Sequence, residues 1–369
     1  MDKIIRIGID TSKSVFVLHG VDAAEQVVLR RKLRRSQVMD CFAKLERTKI
    51  GIEACGGAHH WARELTALGH EVLLLPAQYV KPYVKRNKND AADAEAICEA
   101  MSRPTMRFVA VKSTEQQAAL MLAGRRDGLV RRRTQLTNTI RGYAAEFGLI
   151  AAKGLDKIEP LLNRIAADKD LPKLAKGLFA DYGREYVELQ KQIAKMEARL
   201  MAWHKDNELS RRLTKVPSIG PIGASMLAMK VTDPHAFRSG RDFSAWIGLT
   251  PKDHSTAGKM RLGVITRAGD EALRSTLVAG ASAVIQQVGK RRGNPSPWLA
   301  DLVRRKEPKL AAVALANKTA RIAWKLMVSG EHYDPQRAGR FVPPTGRVAP
   351  RAPRQGRFVP PAAAAAGQP

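Results

Sequence analysis

IIRIGIDTSKSVFVLHGVDAAEQVVLRRK, residues Ile4–Lys32, decides how the chain begins to fold. It contains three short β-prone runs, IIRIGID (Ile4–Asp10), SVFVLHGV (Ser14–Val21) and EQVVLRRK (Glu25–Lys32), each set off by small or polar residues. Three strands before any helix predict a β-meander. The first run ends on an acid, Asp10, where a strand leaves its sheet.

Working outward, a helix is expected at about residues 37–46, then the strand KIGIEA, the helix HHWARELTALG, the strand HEVLLLP, the helix DAADAEAICEAMS and a last strand MRFVAVK. That order, βββαβαβα, matches a ribonuclease H-like (RuvC-like) α/β fold over residues 1–112. From residue 113 the pattern turns helical. Leu122, Leu129, Leu136 and Tyr143 recur every seven residues, with Ile140 and Phe147 in a second row, and Tyr186, Leu189, Ile193, Met196, Leu200 and Trp203 alternate by three and four. Residues 113–207 therefore read as a coiled-coil dimerisation region whose arms pair within one chain, across a dimer, or both; an ordinary helical subdomain has the same spacing. Residues 208–330 form a separate, mostly helical C-terminal domain with glycine turns. Residues 331–369 are basic and Pro-rich and repeat GRFVPP, a composition expected to be disordered.

Composition narrows the partners. The 369 residues carry 63 Lys and Arg against 35 Asp and Glu, a net charge of +28, which is a standing field for polyanions such as nucleic acid. With 44% apolar residues the chain can also bury a sizeable core, so it is a folded machine and not a basic tail. Cys41, Cys55 and Cys98 have neither zinc-site spacing nor an even count, as expected of core thiols in a reducing cytoplasm. No secretory signal and no apolar run of roughly 20 residues is present, so no membrane association is expected.

The acids carry the chemistry. In the fold just drawn Asp10 and Glu53 end neighbouring central strands, and Asp90 and Asp93 share one face of the helix that packs beside those ends. Four converging carboxylates repel unless cations lie between them, and a pair of Mg²⁺ ions is the simplest answer. Two such ions can clamp the attacking and leaving oxygens of a phosphodiester. Any one of these acids has an ordinary alternative, and Asp90 in KNDAADAEAI has the position of a helix cap. Lys81, Lys85, Arg86 and Lys88 just before the acids are candidates for holding phosphates, or a solvated loop. His59, His60 and His70 are assigned no role.

In VPSIGPIGASMLA, Gly220 and Gly223 have the spacing of a helix-hairpin-helix turn that brings backbone amides to a phosphate; a plain glycine turn looks the same. Further on, Ser255 and Thr256 lie in a small-residue loop followed by Lys259, Arg261, Arg267 and Arg274. A hydroxyl among cations can attack phosphorus while the cations hold its oxygens, although an anion-binding turn without covalent chemistry has the same residues.

IGIDTSK, GIEACGGAHHW, KNDAADAEAI, PSIGPIGA and GLTPKDHSTAGKMRLGVITRAGDEALR, in that order, resemble the DEDD-type insertion-sequence transposases of the IS110 family, nearest its IS1111 branch. The resemblance spans about Ile4 to Ser329. It implies that the four acids are Asp10, Glu53, Asp90 and Asp93, and that Ser255 is the nucleophile that links covalently to DNA, with the acids of another subunit completing the site. It further implies double-stranded donor and target DNA as substrates, a non-coding bridge RNA as guide, and a homodimer that assembles to a tetramer beside the nucleoid. The loop reads STAGK where two glycines after STx are commoner. A structure-specific, Holliday-junction-type endonuclease using water is the leading rival and predicts full activity without Ser255. An actin-like sugar kinase, suggested by IGIDTSK, lacks a second DxG phosphate motif, and a catalytically dead binding protein does not need the full acid set.

Overall fold

The structure, a computed structural model, describes residues 3–85, 89–290 and 295–335; Arg86, Lys88 and the tail beyond residue 335 lie outside the described residues. β1 (Arg6–Thr11), β2 (Val15–Val21) and β3 (Val27–Arg34) form the expected antiparallel meander, and β4 (Lys49–Glu53) and β5 (Glu71–Leu75) add in parallel on the other side of β1. The resulting order, β3-β2-β1-β4-β5, is that of the ribonuclease H-like sheet the sequence predicts. MRFVAVK is a correction. Residues 107–112 run extended, but only Val109 pairs, through its N–H to Leu74 O at 2.8 Å. The segment must leave the sheet to reach the helix capped by Ser113, so pairing stops after one bridge.

Strand alternation divides the sheet into two faces. Ile7, Ile9, Ile50 and Ile52 point into a core with Val38 and Phe42 of α1 (Val38–Ala43) and Trp61 and Leu65 of α2 (Ala58–Ala67). The opposite face carries Gly8 and Gly51, side by side in the β1–β4 register, and these bare positions let α4 (Asp90–Met101) lie close on the sheet. Between β5 and α4 the chain makes a short helix, α3 (Ala77–Val80), and a 3₁₀ turn over Lys81–Tyr83. A Cβ at Gly8 would lie 2.2 Å from Ala94 O and 2.5 Å from Cys98 N, both backbone atoms that cannot swing away. Gly8→Ala is accordingly expected to cost about 2–3 kcal/mol, read as a lowered melting temperature. An unchanged melt would mean that α4 shifts freely.

His59, in the first turn of α2, ties this layer to the segment that leaves it. Its Nδ1 accepts the Lys112 backbone N–H at 3.2 Å, and its Nε2 lies 2.9 Å from Lys112 Nζ. Burial, reinforced by Lys112 and Arg63, pulls its pKa down to about 4. The folded value lies below the unfolded one, so the stability this histidine contributes is present above pH 6.5 and is lost as pH falls from about 6.5 to about 4. Thermal melts of His59→Gln against the parent chain are expected to show a shallower loss across that window, by about 1–2 kcal/mol after allowance for solvent screening. Parallel curves would assign the acid sensitivity elsewhere.

The helical region is built on α5 (Thr114–Glu146) and α7 (Lys173–Asp206), each several times the usual helix length, which run antiparallel within the chain. Arg126 pairs with Glu197 at 2.7 Å and Arg133 with Gln190 at 2.7 Å, while Tyr143 stacks on Tyr182. Leu129, Leu136, Ile140, Tyr186, Leu189 and Ile193 fill the seam, and Ile158, Leu161 and Ile165 of α6 (Ile158–Ala167) close one end. Tyr143 and Phe147, assigned to the repeat, remain largely exposed. At the other end Ala119, Ala123 and Leu200 meet Met229 of α9 (Pro221–Lys230), so the seam runs into the next layer.

α8 (Glu208–Leu213), α9, α10 (Gly240–Ile247), α11 (Glu271–Gly289), α12 (Pro297–Arg305) and α13 (Pro308–Ser329) share one core. Ala312, Ala316, Ala320 and Ala323 on α13 are buried and small, which lets α11 and α10 pack close to it. A hairpin of β6 (Pro251–Asp253) and β7 (Leu262–Ile265) projects from this layer. No helix among the described residues is long and apolar enough to cross a membrane.

Candidate active site

Register brings the first two acids together. β1 and β4 pair in parallel as Gly8 with Gly51 and Ile9 with Ile52, and one further step along both strands reaches Asp10 and Glu53. Both side chains then belong to the α4 face of the sheet. On α4, Asp90, Asp93, Ala94, Ile97, Cys98 and Met101 recur at helical spacing. Ala94 and Cys98 meet Gly8, and Ile97 and Met101 meet Gly51. The same stripe, followed back toward the helix start, carries Asp90 and Asp93 beyond the strand ends.

Asp90 does not cap its helix. Asn89 is the N-cap, its side chain accepting the Ala92 N–H at 2.9 Å, which leaves the Asp90 carboxylate outside the cap. Asp10 records the convergence: burial pushes its pKa up, and Asp93, Asp90 and Glu53 push it further the same way. Three acids from two other elements thus act on one carboxyl group. Among the described residues no three His, Cys, Asp or Glu side chains already form a metal cage. The donor set is nonetheless that of a hard divalent cation, all carboxylate oxygen and short of positive charge at its centre.

The rim of the site has Thr11, which the sequence reading passed over, and Cys55, which it took for a core thiol and which is exposed; of the three cysteines only Cys98 is buried. Thr11 Oγ1 and Cys55 Sγ lie 3.4 Å apart, each one or two residues beyond an acid, and they bridge the ends of β1 and β4. Their signal was positional: a polar residue just past each acid-terminated strand.

The cations divide. Lys81 is exposed in its 3₁₀ turn and free to meet a phosphate. Lys85 is a correction, because its Nζ pairs with Glu95 at 2.5 Å. In the C-terminal layer Gly220 is the exposed N-cap of α9, but Gly223 is buried against Ile219 and Thr276 and opens no path to a phosphate. A Cβ at Gly220 would meet no protein atom within 4 Å, so the surroundings of the α9 N-terminus are open.

Ser255 stands in the exposed loop joining β6 to β7. Its N–H donates to Asp253 Oδ1 at 2.8 Å, and its Oγ accepts the Arg261 N–H at 3.0 Å. The Ser255 hydroxyl and N–H together hold Asp253 below the usual carboxylate range. The loop closes through the Lys259 N–H to Thr256 O at 2.9 Å, with Ala257 and Gly258 both at positive φ, 48° and 76°. That is the geometry two glycines serve best, and Ala257 accepts it at some strain. Lys259, Arg261 and Arg267 are exposed around or beyond the loop. Arg274 is not available there, since its Nη1 donates to Ile247 O and Ala268 O, both at 3.0 Å. The groups that dominate the Asp10 proton affinity all belong to the first hundred residues.

Comparison with known proteins agrees in both halves. Residues 7–147 match the DEDD transposase domain of the IS110 type, and residues 210–294 match the Transposase IS116/IS110/IS902 family. A putative transposase, y4pF/y4sB of Sinorhizobium fredii, is 64% identical over 90% of this chain and 86% of its own length. A probable family 20 transposase of Pseudomonas aeruginosa is 47% identical over 89% of this chain and 98% of its own. The transposase for insertion sequence element IS1111A of Coxiella burnetii is 39% identical over 90% of this chain and 92% of its own.

Proposed function

The chain belongs to the IS116/IS110/IS902 family of insertion-sequence transposases, and from that premise we propose that it cuts and rejoins DNA by attack of Ser255 on a phosphodiester beside the four acids. The observation that carries this reading is the parallel β1–β4 register that brings Asp10 and Glu53 to neighbouring strand ends, with α4 and its Asp90 and Asp93 packed against the same strands. Asp10, Glu53, Asp90 and Asp93 would hold divalent ions, with Mg²⁺ as a pair the choice we favour. Such ions polarise the phosphodiester and offset charge on its attacking and departing oxygens.

What the chain itself does can be followed atom by atom. Asp253 accepts the Ser255 N–H and the Arg261 N–H donates to Ser255 Oγ, and these two contacts fix the serine in the exposed loop. A new Ser255 Oγ–P bond forms as one P–O bond to a sugar oxygen breaks; the hydroxyl proton is lost and the departing oxygen gains one. The number of phosphoester bonds is unchanged, so a second DNA hydroxyl can reverse the step and rejoin strands without nucleotide hydrolysis. Lys259, Arg261 and Arg267 are suited to hold phosphoryl oxygens, Lys81 and the α9 N-terminus at Gly220 to hold flanking phosphates.

In this reading residues 1–112 carry the acids, residues 113–207 join subunits, and residues 208–330 carry the serine. Acids and serine lie in different layers, which suits a site completed between the subunits of a homodimer or a tetramer of two such dimers. The +28 surplus serves donor and target DNA together with a non-coding guide RNA. Sequence choice is then delegated to base pairing, as in an IS1111-type element acting in the bacterial cytoplasm. The test incubates the protein, its flanking RNA and Mg²⁺ with labelled donor and target DNA. A denaturant-resistant protein–DNA adduct is the expected result; cleavage without an adduct would point to water as nucleophile.

A further inference from the structure

On the same face of the sheet as the acids, one strand away, a cavity of about 400 Å³ opens between β2, β3 and the start of α4. It is lined by Val17, His19, Arg30, Lys85, Asn89 and Glu95, among others. Val17 is the cross-strand partner of Asp10, and His19 is the partner of both Gly8 and Arg30. Strand alternation therefore sends His19 and Arg30 to the α4 side, like Asp10.

His19 is the unexplained residue here. It is only 6% exposed, and it forms no hydrogen bond with the described residues. Its ring nitrogens are not sealed from solvent, so they face whatever fills the cavity, water or a ligand. Burial also keeps it neutral, against the pull of Glu95 and with the help of Arg30, Lys85 and Arg6. A neutral ring still offers one N–H donor. Arg30 is exposed at the mouth, and Lys85 is held there by Glu95.

We propose that this cavity is a phosphodiester subsite, in which His19 and Arg30 hold the backbone of a nucleic-acid strand next to the phosphate that lies at Asp10, Glu53, Asp90 and Asp93. The inference rests on the transposase reading of the acid cluster and extends it. Adjacent strands are about 4.8 Å apart and residues about 3.4 Å apart along a strand. The cavity thus stands within about one nucleotide of the acids, and its size admits a sugar-phosphate unit. DNA and RNA strands present the same group, so the donor strand and a guide strand are both sources.

The test measures fluorescence anisotropy of the full chain with a labelled single-stranded DNA and with an RNA of matched sequence, over a series of salt concentrations. Arg30→Gln is expected to weaken binding about five- to tenfold and to lower the slope of log K against log salt by about one. Arg184→Gln, which removes an equal charge from α7, is expected to leave both unchanged. His19→Asn tests the neutral contact: weaker binding with an unchanged slope is expected, and a thermal melt confirms folding. The probe that shows these losses, DNA, RNA or both, identifies the strand. If the parent chain binds with a steep salt slope and Arg30→Gln keeps both affinity and slope, the subsite is refuted while the transposase reading stands. If the parent binds neither probe, the subsite falls, and the transposase reading is judged by the adduct with double-stranded DNA.

Discussion

Asp10→Asn is expected to reduce strand cleavage and joining by about a thousandfold or more while nucleic-acid affinity changes by less than about threefold. Asp10 is the acid on which the others converge: it ends the central strand, is half buried, and feels Asp93, Asp90 and Glu53. The change replaces a carboxylate ligand of any ion held there by a neutral and much weaker amide oxygen, whereas the basic surface that binds polyanions is untouched. The same change relieves repulsion, so without divalent ions the variant is expected to melt a few degrees higher than the parent chain. That gain separates loss of chemistry from loss of fold. Cleavage assays, anisotropy and melts in chelator form the set of measurements, and near-parent cleavage in a folded Asp10→Asn chain would remove the acid cluster from the reaction.

Ser255→Ala is expected to abolish the covalent protein–DNA adduct and to lower recombination by about a thousandfold or more. The fold has little stake in this hydroxyl. Ser255 is exposed, and the partners of its hydroxyl, the Arg261 N–H and the Asp253 carboxylate, are within reach of water in the variant. Thr256 cannot simply take over, because its carbonyl closes the turn with the Lys259 N–H and its backbone follows the Ser255 position into the turn. A denaturing gel with labelled DNA reads the adduct directly. Full cleavage by Ser255→Ala would make water the nucleophile and leave the loop as a phosphate contact.

Most of what positions the acids is local and was legible. Strand alternation in IIRIGID and KIGIEA sets Asp10 and Glu53 at matching ends, and helical spacing sets Asp90 and Asp93 on one face. Gly8 and Gly51 complete the pattern, for two glycines at corresponding places in adjacent strands mark where a helix lies close. The capping of α4 was misplaced by one residue: the sequence offered Asp90 as the cap, and the geometry gives that place to Asn89.

The amino-acid sequence by itself determined the five strands, the two long helices, the basic surplus and the ends at which the acids stand, because each depends on neighbours within a few residues or on simple counting. Tertiary structure alone decided which of the cations is available: Lys85 is taken by Glu95, and Arg274 by Ile247 and Ala268, partners that no spacing announces. It also decided that Gly223 faces Thr276, that residues 107–112 pair by a single bridge, and that α5 finds α7 within its own chain. His19 shows the difference most clearly. In sequence it is one polar residue in an apolar strand, and only the approach of α4 and β3 turns it into the wall of a cavity. Burial and partnership are properties of what arrives through space, and long-range packing supplies them after local preference has already chosen the elements.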